Sequence, residues 1–210
     1  MRVTEIFFSI QGEGTRAGRP CVFVRFTGCD LRCSYCDTAY AFQGGAELGR
    51  DAILAEVARH PCKLVLLTGG EPMLQRELPA LARDLLARGY EVTVETHGQR
   101  PLDALPREVV RIVDVKTPGS GEPATDLGYL DALAPHDEVK FVVCSEDDFR
   151  WSRDVVRRHR LEGRVHVLFS PVWESVAPKD LARWILESGL DARLSLQVHK
   201  VIWGQDARGV

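Results

Sequence analysis

Three cysteines fall within eight positions, in the segment Cys29-Asp-Leu-Arg-Cys33-Ser-Tyr-Cys36. Thiolates are soft ligands that suit iron–sulfur clusters and zinc, and a short loop carrying several can wrap one compact inorganic core. A complete iron–sulfur site usually takes four cysteines. With only three nearby, one iron is left without a protein ligand, and an open metal position is what catalysis needs. A zinc site is the competing reading. It would draw a fourth ligand from afar, such as His97 or His199. The spacing favours the cluster. Cys21, Cys62 and Cys144 are scattered in or beside apolar runs and read as small buried residues.

A second group of residues has the chemistry to hold a polar ligand. Gln11 and Glu13 flank Gly12 at the end of an apolar run, with Gly14 following. Arg25 stands inside the apolar run Cys21–Thr27, where an unpaired guanidinium is costly. It therefore meets an anionic ligand or pairs with Asp30 or Glu5, and the ligand is the favoured partner. Polar or glycine-rich clusters recur along the chain: Gly69-Gly70-Glu71-Pro72, Thr96-His97-Gly98, Thr117-Pro118-Gly119-Ser120, Ser170-Pro171 and His199-Lys200. Each follows a strand-like run. Tight turns explain some of them, but not why so many polar groups gather at one end.

The elements that must position these groups are legible in the apolar pattern. Strands are expected over Val3–Ile10, Cys21–Thr27, Leu64–Thr68, Glu91–Glu95, Val109–Lys116, Glu138–Cys144, Arg164–Phe169 and Arg193–Val198. Several are β-branched and apolar on both faces, as buried parallel strands are. Helices are expected over Asp51–His60, Arg76–Arg88 (stopped by Gly89), from a Ser145 cap onward, and over Lys179–Ser188, entered through Pro178 and stopped by Gly189. The alternation predicts an α/β fold built from parallel β/α units. The units are too few for a closed eight-fold barrel, so a partial open (β/α) barrel of about six parallel strands fits, with its chemistry beyond the carboxyl ends of the strands.

Composition limits the remaining choices. The 210 residues, 45% apolar and 27% charged, read as one soluble domain spanning 1–210. No apolar run approaches a membrane span, and the opening MRVTEIFFSIQGEG lacks the apolar core of a signal peptide. A cytoplasmic location without disulfides is expected. The net charge of −3 is not the basic excess of a nucleic-acid binder, and the arginines of Arg150–Arg160 read as a solvated helix face.

Cys-x3-Cys-x2-Cys with an aromatic, Tyr35, before the last cysteine resembles the radical S-adenosylmethionine superfamily. That resemblance implies a [4Fe-4S] cluster on Cys29, Cys33 and Cys36, with the amino and carboxylate groups of S-adenosyl-L-methionine on the open iron. It sets Tyr35 near the adenine and makes Gly69-Gly70-Glu71-Pro72 the second glycine motif, approaching the cofactor's amino group. Further segments are Ser9-Ile-Gln11-Gly12-Glu13-Gly14, Phe23-Val-Arg25-Phe-Thr-Gly28-Cys29, Asp37-Thr38 and Gln197-Val-His199-Lys200-Val-Ile-Trp203-Gly204. Together they resemble the 7-carboxy-7-deazaguanine synthase family through nearly the whole chain.

The narrower resemblance implies a reaction. A 5′-deoxyadenosyl radical takes the C6 hydrogen of 6-carboxy-5,6,7,8-tetrahydropterin, the six-membered ring contracts, ammonia is lost, and 7-carboxy-7-deazaguanine results. The cofactor is regenerated and Mg2+ assists, in queuosine and other 7-deazapurine biosynthesis. The implied substrate residues are Gln11, Gly12, Glu13, Arg25, Thr68, His199 and Val210, with Thr38 the protein ligand of Mg2+. Arg25 has the planar fork that a carboxylate takes. The implied cofactor rim is Tyr35, Gly70, Glu71, Thr96, Asp114, Val115, Lys116, Ser170 and Pro171. A flavodoxin or ferredoxin reductant and a homodimer are expected. Two alternatives stand: an activase for glycyl-radical enzymes, which shares the cysteine spacing, and a zinc-binding or electron-carrying module without catalysis.

Overall fold

The computed structural model describes residues 1–210. In chain order its strands are β1 (Arg2–Ile10), β2 (Pro20–Phe26), β3 (Ala46–Glu47), β4 (Leu64–Gly69), β5 (Glu91–Thr96), β6 (Val110–Val115), β7 (Glu138–Val143), β8 (His166–Pro171) and β9 (Arg193–Leu194). The helices are α1 (Arg50–Ala58), α2 (Leu78–Ala87), α3 (Glu146–Arg158), α4 (Pro178–Ser188) and α5 (Val198–Trp203).

All nine strands form one sheet in the order β3-β1-β2-β4-β5-β6-β7-β8-β9. From β2 to β9 every neighbouring pair is parallel. Because β9 has only two residues, six full-length parallel strands make the barrel wall, as expected. The chain enters by an antiparallel hairpin of β1 and β2, and the short β3, which the sequence pattern did not signal, pairs antiparallel on β1. The first and last strands of the order do not meet, so the barrel is open.

Alternation along the strands sorts the two faces. Val22, Val24, Phe26, Val65, Leu67, Val92 and Val94 point outward and pack under α1 and α2 with Ile53, Leu54, Val57, Leu81 and Leu85. Val139, Phe141, Val143, Val167 and Phe169 do the same beneath α3 and α4 with Phe149, Val155, Val156 and Leu181. Each such side chain contributes about 1.5–3 kcal/mol through burial. The inner face differs along its height. Cys21, Phe23, Leu64, Leu66, Val110 and Ile112 close the barrel's amino end with an apolar plug. Burial in that plug pushes the Cys21 thiol up to about 12. Above the plug the inward positions turn polar.

The helix boundaries follow their signals. The Ser145 side chain accepts from the Asp148 backbone N–H at 3.2 Å and opens α3, while Gly189, left-handed at φ 68°, ends α4. One expectation fails. The strand foreseen over Arg193–Val198 stops at Leu194. The Ser195 N–H still donates to the Phe169 carbonyl at 2.8 Å, but the Val198 N–H donates to the Gly12 carbonyl at 2.9 Å, and Val198–Trp203 coils into α5. His199 and Lys200 therefore ride on a helix that folds back over the Gln11–Gly14 loop.

Candidate active site

A cavity of about 820 Å³ opens at the carboxyl ends of the strands. Its middle is a belt of inward side chains set by strand register. Arg25 lies opposite Thr68, and Asp114 lies opposite Lys140. Hydrogen bonds tie the belt together in groups. Thr68 Oγ1 donates to Glu95 Oε2 at 3.2 Å, Lys140 Nζ donates to Glu95 Oε1 and to Glu13 Oε2, the latter at 2.7 Å, and Lys116 Nζ donates to Asp114 Oδ2 at 2.9 Å. Arg25 Nε donates to Glu5 Oε1 at 2.7 Å. Below the belt, Phe7 and Phe23 stack at 4.7 Å with an interplanar angle of 3°. The cavity thus has flat apolar walls and fixed polar groups.

The Gln11–Gly14 loop reaches this belt because β7 holds its far side. The wholly buried carboxylate of Glu138 accepts from Thr15 N at 3.1 Å, Thr15 Oγ1 at 2.5 Å and Arg16 Nη1 at 2.8 Å. From above, Gln197 Nε2 donates to Glu13 Oε1 at 3.0 Å. Gly12 lies so close beneath His199 that a Cβ there would stand 2.1 Å from Nδ1.

The three cysteines line one side of the same cavity. Their loop is pinned on two flanks: the Glu71 N–H donates to the Gly28 carbonyl and the Ser34 N–H to the Ser120 carbonyl, both at 2.8 Å. Cys29 Sγ accepts from Leu31 N at 3.4 Å. Gly70 passes behind the loop where a Cβ would lie 2.2 Å from the Gly28 carbonyl oxygen and 2.8 Å from Cys29 Cβ. Three unpaired thiols on one pinned loop, with room above, fit a cluster that takes one thiolate on each of three irons. The zinc reading loses His97 as a distant ligand. His97 Nδ1 accepts from Gln99 N at 3.1 Å, so Nε2 carries the proton toward Asp30 Oδ1 at 3.0 Å. His199 packs on Gly12.

Charge is arranged tightly. Burial opposes the Lys140 ammonium, but Glu13, Glu95 and Asp114 outweigh it and hold its pKa well above the lysine range. Burial would raise Glu13 and Asp114, yet Lys140 on the first and Lys116 with Lys140 on the second keep both below the carboxylate norm. Burial lowers His199. Near the rim, Thr38 Oγ1 donates to Asp37 Oδ1 at 2.9 Å and Lys200 Nζ meets Asp37 Oδ2 at 2.8 Å. Lys200 overcomes the effect of burial and holds Asp37 at about 2.

Of the residues expected at the site, Gln11, Glu13, Arg25, Cys29, Cys33, Tyr35, Cys36, Thr38, Thr68, Gly70, Thr96, Asp114, Lys116, His199 and Val210 line this one cavity. Gly12, Glu71, Val115, Ser170 and Pro171 do not. Val115 and Pro171 alternate outward, away from the barrel interior, and Ser170 is buried beneath the rim. The Glu71 carboxylate turns away from the cavity. It accepts from Met73 N and Thr96 Oγ1, both at 2.8 Å, and from His97 N at 3.0 Å, tying the loops after β4 and β5 together. Arg25 has its carboxylate partner in Glu5, while Asp30 goes to His97 and Arg100. Sequence reading missed Glu95, Lys140 and Gln197. The signal for Lys140 was there: a lone cation inside the apolar strand EVKFVV, as costly as Arg25 unless paired. Cys144, read as a core residue, instead lies half-buried on the cavity wall.

Comparison with known proteins agrees with this geometry. The Radical SAM superfamily model matches residues 23–170. The 7-carboxy-7-deazaguanine synthase of Koribacter versatilis is 48% identical over 226 residues, covering 100% of both chains. That of Chlorobaculum tepidum is 40% identical over 100% of this chain and 97% of its own. Among solved structures, QueE from Escherichia coli superposes with a TM-score of 0.78 over 94% of each chain at 21% identity. Streptococcus suis SuiB bound to S-adenosylmethionine shares the fold at a TM-score of 0.57, over 81% of this chain and 45% of its own, at 13% identity.

Proposed function

Since the chain belongs to the 7-carboxy-7-deazaguanine synthases of the radical S-adenosylmethionine superfamily, we propose that its cavity converts 6-carboxy-5,6,7,8-tetrahydropterin to 7-carboxy-7-deazaguanine with loss of ammonia. As a member it is a lyase of queuosine biosynthesis that uses a [4Fe-4S] cluster and S-adenosyl-L-methionine. When bound, these supply a 5′-deoxyadenosyl radical that removes one substrate hydrogen. Cys29, Cys33 and Cys36 would hold the cluster, and Gly70, Thr96, Tyr35, Asp114 and Lys116 the cofactor.

The observation that carries the substrate assignment is the polar belt facing the cysteine loop across one cavity. A pterin is flat, with hydrogen-bond donors on one edge. The stacked Phe7 and Phe23 suit the ring, and Glu13, Glu95 and Gln11 suit the edge. A substrate carboxylate suits Arg25, whose guanidinium is only partly engaged by Glu5, and His199, which burial keeps neutral at pH 7. Thr38 keeps hydroxyl lone pairs for Mg2+, a hard cation that prefers oxygen and retains waters. Val210 lines the same space, which supports a substrate contact there. No helix is long and apolar enough to cross a membrane; a cytoplasmic, homodimeric enzyme reduced by a flavodoxin or ferredoxin completes the proposal.

The activase reading is set aside, because the full-length relatives bear the synthase name. The test is anaerobic turnover with cluster, cofactor, Mg2+, reductant and the pterin, followed by product mass. Formation of 7-carboxy-7-deazaguanine supports the assignment. Release of 5′-deoxyadenosine with no deazapurine overturns the substrate while leaving the superfamily intact.

A further inference from the structure

Lys140 has no role in the reading above, yet it is the most completely enclosed cation in the cavity. It is 4% exposed and sits midway along β7. Its ammonium bonds Glu13 from the loop after β1 and Glu95 from β5, and stands 3.6 Å from Asp114 of β6. Other charged or titratable groups face this cluster: Lys116 from β6, through Asp114, and His199 and Asp37 from the rim, through Glu13 and Lys140. Lys140 and Lys116 together oppose three carboxylates, so one negative charge remains. Asp114 Oδ1 is buried without a partner. A pocket left with surplus acceptors asks its ligand for donors.

We propose that Lys140 is a positioning residue that fixes Glu13 and Glu95 as two hydrogen-bond acceptors and so selects a heterocycle presenting adjacent N–H donors. This rests on the pterin reading. A pterin offers its ring N3–H and 2-amino group along one edge. A ring with oxygen at position 2 would set an acceptor against a half-buried carboxylate, and a site built to bond a donor rejects the analogue lacking it. The low-lying Glu13 and the high-lying Lys140 agree with this: both partners stay charged across the neutral range. Without the ammonium, two half-buried carboxylates crowded at one site do not both stay ionised. One takes up a proton and becomes a donor, and the edge selectivity goes with it.

The probes are 6-carboxypterin, a fluorescent stable relative of the substrate, and 6-carboxylumazine, which has oxygen in place of the 2-amino group. Binding to the cluster-loaded enzyme is measured anaerobically from pH 6 to 9. Wild type should prefer the pterin by about 10-fold or more, with a preference flat across this range. Lys140→Met should lose that preference near neutrality and recover part of it as rising pH strips the shared proton. The double variant Lys140→Met with Glu95→Gln removes one cation and one anion, which guards against simple misfolding, and it should also lack the preference. Wild-type selectivity and a flat pH response in either folded variant would overturn the role of Lys140. Absence of any pterin preference in wild type would overturn the pterin reading itself, and the role of Lys140 with it.

Discussion

Arg25 and Glu5 face each other across the β1–β2 hairpin, Nε to Oε1 at 2.7 Å, and the Tyr40 hydroxyl donates to the same Glu5 oxygen at 2.8 Å. The cation is therefore held in place before any ligand arrives, with part of its fork still free. Substitution Arg25→Ala should raise KM for the carboxypterin by about 10- to 150-fold, the value of a charge-assisted hydrogen bond. The loss should shrink for a pterin lacking the 6-carboxylate. An equal loss for both ligands would mean that Arg25 serves only the hairpin.

Five of the six cysteines divide cleanly, and Cys144 stands apart on the cavity wall. Cys29, Cys33 and Cys36 share the cavity loop, whereas Cys21 is wholly buried in the apolar plug and Cys62 packs against it. Alanine at Cys33 should abolish cluster assembly, read as iron per chain and visible absorbance. Alanine at Cys62 or Cys144 should leave both at the wild-type level.

Gly70 passes against the cluster loop with no space for a side chain. Gly70→Ala would drive a methyl into the Gly28 carbonyl, 2.2 Å away, and against Cys29 Cβ. Backbone must move, at about 1–3 kcal/mol, and the displaced segment carries the first cysteine. Lower iron occupancy together with a lower unfolding midpoint is the expected pair of results. A fall in stability with full iron occupancy would separate Gly70 from the cluster.

Burial depresses the pKa of His199 below its ordinary 6.5, against the pull of Glu13. The folded state thus prefers the neutral ring. Its contribution to stability is complete above pH 6.5 and is lost as pH falls through the lower folded value. Wild type should lose more stability between pH 8 and 5.5 than His199→Asn, measured as the unfolding midpoint of the cluster-loaded protein. Parallel pH curves would contradict the depressed value.

What the sequence disclosed followed from how local each signal was. The cysteine triplet and Gly69-Gly70 announce themselves by spacing, and Ser145 and Gly189 mark helix ends through their own backbone chemistry. Arg193–Val198 misled because R-L-S-L-Q-V alternates like a strand, while a contact from the other end of the chain, the Gly12 carbonyl, turns it into a helix. Asp114-Val115-Lys116 could not all face inward, since strand parity sends Val115 to the core. Lys140 stood out as a lone cation in an apolar strand, but its partners were hidden because they lie far apart in sequence, at Glu13, Glu95 and Asp114, and only the folded sheet and the loop after β1 gather them.

On this reading the radical formed at the cysteine loop acts on C6 of a pterin held by the belt. The most direct measurement is anaerobic turnover of 6-carboxytetrahydropterin carrying deuterium at C6, with mass analysis of the product and of the recovered cofactor. The expected result is 7-carboxy-7-deazaguanine together with deuterium transferred from C6 to 5′-deoxyadenosine or S-adenosylmethionine, and neither product nor transfer in Cys33→Ala. Deazapurine formed while the adenosyl group stays free of deuterium would contradict it.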